Sequence, residues 1–415
     1  MSVRAIDSRR IIFRLVCLSI FLAPLNGFAF YAPLIPAILL ALWRRWGRGI
    51  REWRAGPLGK WGAAFLGWSF LSALCSVDRN FSLFNWLFLP LMYASLYVLV
   101  LSYVRTREER RALFRVFLTA AACTVLYGIF QFMNIQNMAS DIAAQDWVDP
   151  ERFPLLYRRM YSTLENPNLF AGYLLMMIGL AIGAALMEEK GRHKWETLLF
   201  CAVLAVCLLL TYSRGAWVSL AAMAAVLALL YDRRIWLVFL LIPVVLLMYH
   251  GQITERFLSL FSGEDTSTVL RFALWESTAA MIEDFPLTGV GWGAYFRAYP
   301  DYNFFVGDTS VIIYHAHNMY LSLMAETGIP GGIFYFLFFF AHGVLAVRLY
   351  RKGQDPDEKA AGLALVLIIT AMAVYGIGDY VLFSRAVSLT FWALLALGVC
   401  FEEERREGNK SSVVP

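Results

Sequence analysis

Charge is scarce in this chain, and the scarcity sets its class. Of 415 residues, 16% are charged and 60% are hydrophobic. Soluble proteins carry about a quarter charged residues, so a water-soluble globule of this length is excluded. Cysteine is also sparse. Cys17, Cys75, Cys123, Cys201, Cys207 and Cys400 fall in apolar runs, and none forms a Cys-x-x-Cys pair. No disulfide and no thiolate metal site is expected. The outer segments lack Asp-x-Asp, and the chain lacks a Walker loop, Gly-x-Ser-x-Gly and His-Glu-x-x-His. No cofactor, no metal and no nucleic acid is therefore implied. There is no internal repeat, low-complexity tract or soluble domain, so residues 1–415 read as a single integral membrane unit.

Apolar runs recur that are long enough to cross a bilayer as helices. They lie near 11–30, 31–43, 61–77, 82–104, 113–135, 167–187, 197–212, 216–231, 235–250, 329–349, 360–378 and 387–401. The expected fold is an all-α polytopic membrane protein of about twelve transmembrane helices. The N-terminal run has basic residues before it and no small-residue cleavage site, so it reads as a retained first helix. With the N-terminus inside, 25 of the 36 Lys and Arg fall in inside segments. Positive charge favours the cytoplasmic side, so both termini are expected there. Arg14 and Arg115 lie just inside helices at their cytoplasmic ends, and nine residues remain in outside segments, all arginine: Arg79, Arg152, Arg158, Arg159, Arg214, Arg256, Arg271, Arg297 and Arg385. The planar guanidinium fork suits bidentate binding of phosphate.

Two outside segments are long. The first, 136–166, carries Arg158 and Arg159, then Glu165. It ends at Asn166-Pro167-Asn168, where Asn166 reads as a helix N-cap and Pro167 as the first helical residue. The second, 251–316, is the major loop before helix ten. Thr266 or Ser267 caps a helix running to about Asp284, with Arg271 on its first turn and Leu274 and Trp275 as packing residues. Gly289, Gly291 and Gly293 then give a tight turn. This Gly-x-Gly-x-Gly follows a helix and is no dinucleotide fingerprint. A short turn, Ser213-Arg214-Gly215, is expected to hold Arg214 along the outer face.

His315-Ala316-His317-Asn318 closes the major loop. Asn318 to Thr327 reads as a short amphipathic helix, broken at Gly328 to Gly332 before a long apolar helix. Two imidazoles thus stand where a polar loop meets the membrane, suited to proton transfer near neutral pH. The outer polar groups near them are Arg214, Arg271, Arg158, Arg159, Glu165 and Glu326.

His317-Asn318, nine residues, Gly328, two residues, Gly331 resembles the signature of the bacterial O-antigen ligase family. The similarity extends to the twelve spans, the large loop before helix ten, the Arg after helix seven and the Arg in the loop helix. Asn166-Pro167-Asn168 also resembles a sequence found there in ligases and related polymerases. The resemblance implies a GT-C-like membrane fold in the inner membrane with a periplasmic active site. It implies an inverting transfer of O-antigen from undecaprenyl diphosphate to the outer-core sugar of lipid A–core. His317, with His315 as the second candidate, carries the catalytic role. Arg214 and Arg271, with Arg158 and Arg159, take the diphosphate. Asn318, Glu326, Gly328, Gly331, Asn166 and Asn168 support the site. Relatives sharing the motif include O-antigen polymerases and protein O-oligosaccharyltransferases. An anion transporter is the alternative from another class; the absence of repeats and of mid-membrane charge weighs against it.

Overall fold

The structure is a computed structural model and describes residues 3–47, 53–134, 159–164, 166–188, 191–237, 239, 266–304 and 312–411. Arg158, Glu165, most of the 136–166 loop, nearly all of the 235–250 span and residues 305–311 lie outside that set. Among the described residues there are helices and turns and no strand. The helices are α1 Val3–Leu22, α2 Tyr31–Gly47, α3 Gly59–Leu74, α4 Arg79–Phe88, α5 Pro90–Tyr103 and α6 Arg107–Met133. They continue with α7 Pro167–Met187, α8 Arg192–Leu210, α9 Arg214–Leu230 and α10 Thr266–Asp284. The last three are α11 Met319–Lys352, α12 Pro356–Gly378 and α13 Arg385–Ser411.

Seven helical stretches among the described residues are long and apolar enough to span a membrane, counting α4 and α5 as one. α9 is a shorter apolar helix. The protein is thus a helical, multi-pass membrane protein. Ten of the twelve expected spans coincide with a helix, and the 235–250 span lies almost wholly outside the described residues. The first was misplaced: α1 ends at Leu22, not near residue 30. Pro24 cannot continue it, and the Asn26 side chain accepts from Phe28 N–H and Ala29 N–H to make a turn.

Helix caps explain several boundaries. Thr106 and Glu109 form a reciprocal capping box at the start of α6. Asn166 Oδ1 accepts from Asn168 N–H, with Pro167 the first residue of α7. The centre of the bundle is α7 against α12. A Cβ on Gly183 would stand 2.6 Å from Ala364 Cβ, so the two helices meet nearly backbone to backbone. α12 also packs on α9 and α11, which brings the ends of α7, α9, α11 and α12 together.

The two ends of the bundle differ chemically. One holds acid–arginine pairs: Arg9–Glu109 at 2.9 Å, Arg54–Glu403 at 3.1 Å and Arg107–Asp357 at 2.7 Å. The other holds both histidines of the His-x-His sequence. It also holds the three non-glycine residues with left-handed backbone among those described: Ser162 (φ 55°), Tyr212 (φ 51°) and His317 (φ 48°). Such conformations cost energy and concentrate where geometry is imposed for function.

Candidate active site

His317 sits in a sharp bend held on both sides. Asn318 caps α11, its Oδ1 accepting from Tyr320 N–H at 2.9 Å and Leu321 N–H at 3.0 Å. Its Nδ2 donates to Ile377 O at 3.1 Å, tying the bend to the end of α12. Ala316 N–H donates to Ser322 Oγ, and Trp275 Nε1 of α10 donates to Ala316 O at 3.1 Å. Trp275, expected only to pack, therefore also fixes the peptide between the two histidines.

This bend presents His317 to Asp379, the residue that ends α12. Nδ1 lies 3.2 Å from Asp379 Oδ1, and that oxygen also accepts from Tyr380 N–H at 2.8 Å. Asp379 is buried and His317 is partly exposed, its side chain retaining 39% of its accessibility. Burial opposes ionisation of Asp379. The hydrogen bond and charge of His317, with His315 and Arg271, outweigh it and hold the carboxyl below its ordinary range. An ionised Asp379 accepts Nδ1–H, which leaves His317 Nε2 with its lone pair.

The neighbouring histidine is different. His315 Nδ1 accepts from His317 N–H at 3.1 Å, which requires the neutral tautomer protonated on Nε2. Burial, then the adjacent His317, lowers its pKa to about 3. Its ring packs on His317 at 4.5 Å and on Phe383 at 4.8 Å. His315 thus shapes the bend and stays neutral. Sequence reasoning missed Asp379. The signal was an acidic residue closing α12 at the same end as the histidines.

Arg214 is buried and begins α9. The expected turn is displaced by two residues: the reversal is Thr211–Ser213, with the left-handed residue at Tyr212, and Arg214 is already helical. Its side chain is packed in, not laid along an open face. Around it, Ser213 Oγ and Tyr375 OH are 2.7 Å apart, and Tyr375 OH donates to Asn168 O. Arg159 donates from Nε to Thr211 O at 2.6 Å and from its Nη2 to Asn168 Oδ1 at 2.7 Å. Arg159 and Asn168 therefore brace the turn before Arg214. Arg271 of α10 acts electrostatically on both Asp379 and the Tyr375 hydroxyl, which links the arginine and histidine groups.

The glycines of the motif serve the fold. Gly328 has φ 71° and ψ 171°, and a Cβ there would stand 2.0 Å from Leu287 O. The break in α11 is confined to this residue, and the helix resumes at Ile329, whose N–H donates to Pro286 O. The Gly289–Gly293 turn lies alongside, with Val290 N–H and Gly291 N–H donating to Ala325 O and Glu326 O. Trp68 Nε1 and Ser72 Oγ of α3 bind the same strip at Thr327 O and Glu326 O. Glu326 is buried. Gly331 packs against Thr327 and Trp68. The loop is thus stitched to the membrane helix that carries His317.

His315, His317 and Asp379 also bring three ligand atoms within 4.8 Å of one another, so they could hold a metal ion. The sequence showed two candidate ligands, and Asp379 is the third. Among these groups, His317 Nδ1 faces Asp379, and His315 Nδ1 carries the His317 N–H bond. A metal on them would displace those hydrogen bonds.

The Asp–His pair and the buried arginines thus lie at one end of a bundle of membrane-spanning helices. Residues 199–336 match the family model described as O-antigen ligase. The match covers a third of the chain and includes Arg214, Arg271, His315, His317, Glu326, Gly328 and Gly331. It supports a glycosyltransferase of the O-antigen ligase or polymerase type. No curated protein matches the chain.

Proposed function

We propose that the protein is an O-antigen ligase of the inner membrane with its site facing the periplasm. It moves O-antigen from undecaprenyl diphosphate to the outer-core sugar of lipid A–core. The observation that carries this reading is the His317–Asp379 pair, in which one nitrogen is occupied by a buried carboxylate and the other is left to act as a base. The acceptor hydroxyl gives its proton to His317 Nε2 while its oxygen bonds to the anomeric carbon. The bond from that carbon to the diphosphate oxygen breaks, and undecaprenyl diphosphate leaves with the electron pair. One displacement inverts the anomeric centre. Asp379 stabilises the imidazolium as it forms. Arg214 and Arg271 offset the charge growing on the diphosphate, and Arg159, Asn166 and Asn168 hold Arg214 in place. The activated donor supplies the driving force, so neither ATP nor metal takes part.

The test is transfer by purified protein from lipid-linked polysaccharide to lipid A–core, without nucleotide. Capped glycolipid and free lipid diphosphate are the expected products. Elongation of the lipid-linked donor in place of capping would make the protein a polymerase. No transfer from this donor to either acceptor would overturn the reading.

A further inference from the structure

A strip of aromatic and polar side chains leads away from the histidines along the same end of the bundle. Tyr314, bonded in sequence to His315, is 54% exposed. Its ring lies 5.5 Å from Phe296, which lies 5.3 Å from Phe81 of α4. The Arg297 guanidinium stands over Phe296 at 4.9 Å and pairs with Asp78 at 3.3 Å. Beyond it, Val77, Asp78, Arg79, Asn80 and Arg297 line an open depression.

We propose that this strip binds the saccharide headgroup of the acceptor; the inference rests on the function proposed above. A pyranose has an apolar C–H face and a rim of hydroxyls. An exposed tyrosine ring and two half-buried phenylalanine rings, set among a carboxylate, an amide and guanidinium groups, match both surfaces. An aromatic belt that only meets lipid headgroups needs no carboxylate–guanidinium pair within it. Position selects the acceptor over the donor. Arg214 and Arg159 belong to the α7–α9 side, which packs on α12, whereas the strip belongs to α4 and the Tyr295–Ala298 turn, which pack on α3 and α11. A single displacement brings the acceptor in opposite the leaving diphosphate, and the strip and Arg214 stand on different sets of helices.

The test is a binding measurement that needs no turnover. Detergent-purified His317→Ala protein is titrated with core oligosaccharide freed of lipid A by mild acid. Saturable binding is expected. Adding Phe296→Ala or Tyr314→Ala should weaken it about tenfold, the loss of one ring from a sugar face, and Phe296→Trp should retain it. Arg79→Ala, at an exposed position, should weaken binding without touching the fold. Absence of binding, or equal affinity with and without the rings, overturns the proposal. Failure of the transferase reading appears separately, as absence of transfer by the wild-type protein.

Discussion

Replacing Asp379 by asparagine separates charge from geometry at the Asp–His pair. Asp379 Oδ1 accepts two N–H groups, from His317 Nδ1 at 3.2 Å and Tyr380 N at 2.8 Å. An asparagine carbonyl in that place keeps both bonds. The flipped amide would set donors against both, so the imidazole keeps its tautomer and orientation. Only the negative charge is lost. A hydrogen bond to a charged group contributes about 1.5–3 kcal/mol and a neutral one about 0.5–1.5. The difference of roughly 1–2 kcal/mol corresponds to about a five- to thirtyfold fall in kcat. Asp379→Ala also frees the ring, and the loss should approach the roughly hundred- to ten-thousandfold of a missing general base. The assay is initial-rate transfer with reconstituted protein at saturating donor and acceptor. Donor affinity should be unchanged in both variants. Equal rates for the Asn and Ala variants, or a wild-type rate in Asp379→Asn, would refute the role assigned to the carboxylate.

Other outcomes follow from the same geometry. His317→Ala should bind lipid-linked donor and transfer almost nothing, with His317→Gln equally inactive; an active Gln variant at normal protein levels sinks the base assignment. Arg214→Lys should recover little of the loss in Arg214→Ala, because an ammonium cannot reproduce the planar two-donor contact; a Lys variant with wild-type donor affinity argues against a bidentate phosphate contact. His315 is neutral in the fold, with its pKa lowered to about 3 by burial. The unfolded chain takes up that proton first, near its ordinary pKa of about 6.5. The His315 contribution is therefore full above that pH and is lost as pH falls toward the folded value. His315→Asn, which keeps an acceptor for His317 N–H, should show a flatter fall of melting temperature on acidification; an unchanged slope contradicts the neutral assignment. Activity with detergent-solubilised substrates should survive chelator, and loss restored by a divalent ion would convert the His315–His317–Asp379 group into a metal site.

What lies near in sequence was readable from sequence. Apolar run length located ten of the spans, because a bilayer imposes length and hydropathy on each helix separately. Asn166 was legible as a cap, and the Gly328–Gly332 stretch as a break, because capping and left-handed backbone depend on a few adjacent residues. The tertiary structure decided what the histidines face. Asp379 is 62 residues from His317, and nothing local in Gly376-Ile377-Gly378-Asp379 announces a partner. Arg214 and Arg159 are alike as outside arginines in the sequence, yet packing buries both and engages Arg159 with Thr211 O and Asn168. His315 and His317 are alike in type and setting. One backbone reversal at His317 (φ 48°) turns one imidazole toward a carboxylate and the other toward a peptide N–H. Those choices belong to the packing of α11 on α12, and the hydrophobic pattern that drives that packing does not encode which polar groups meet where the helices end.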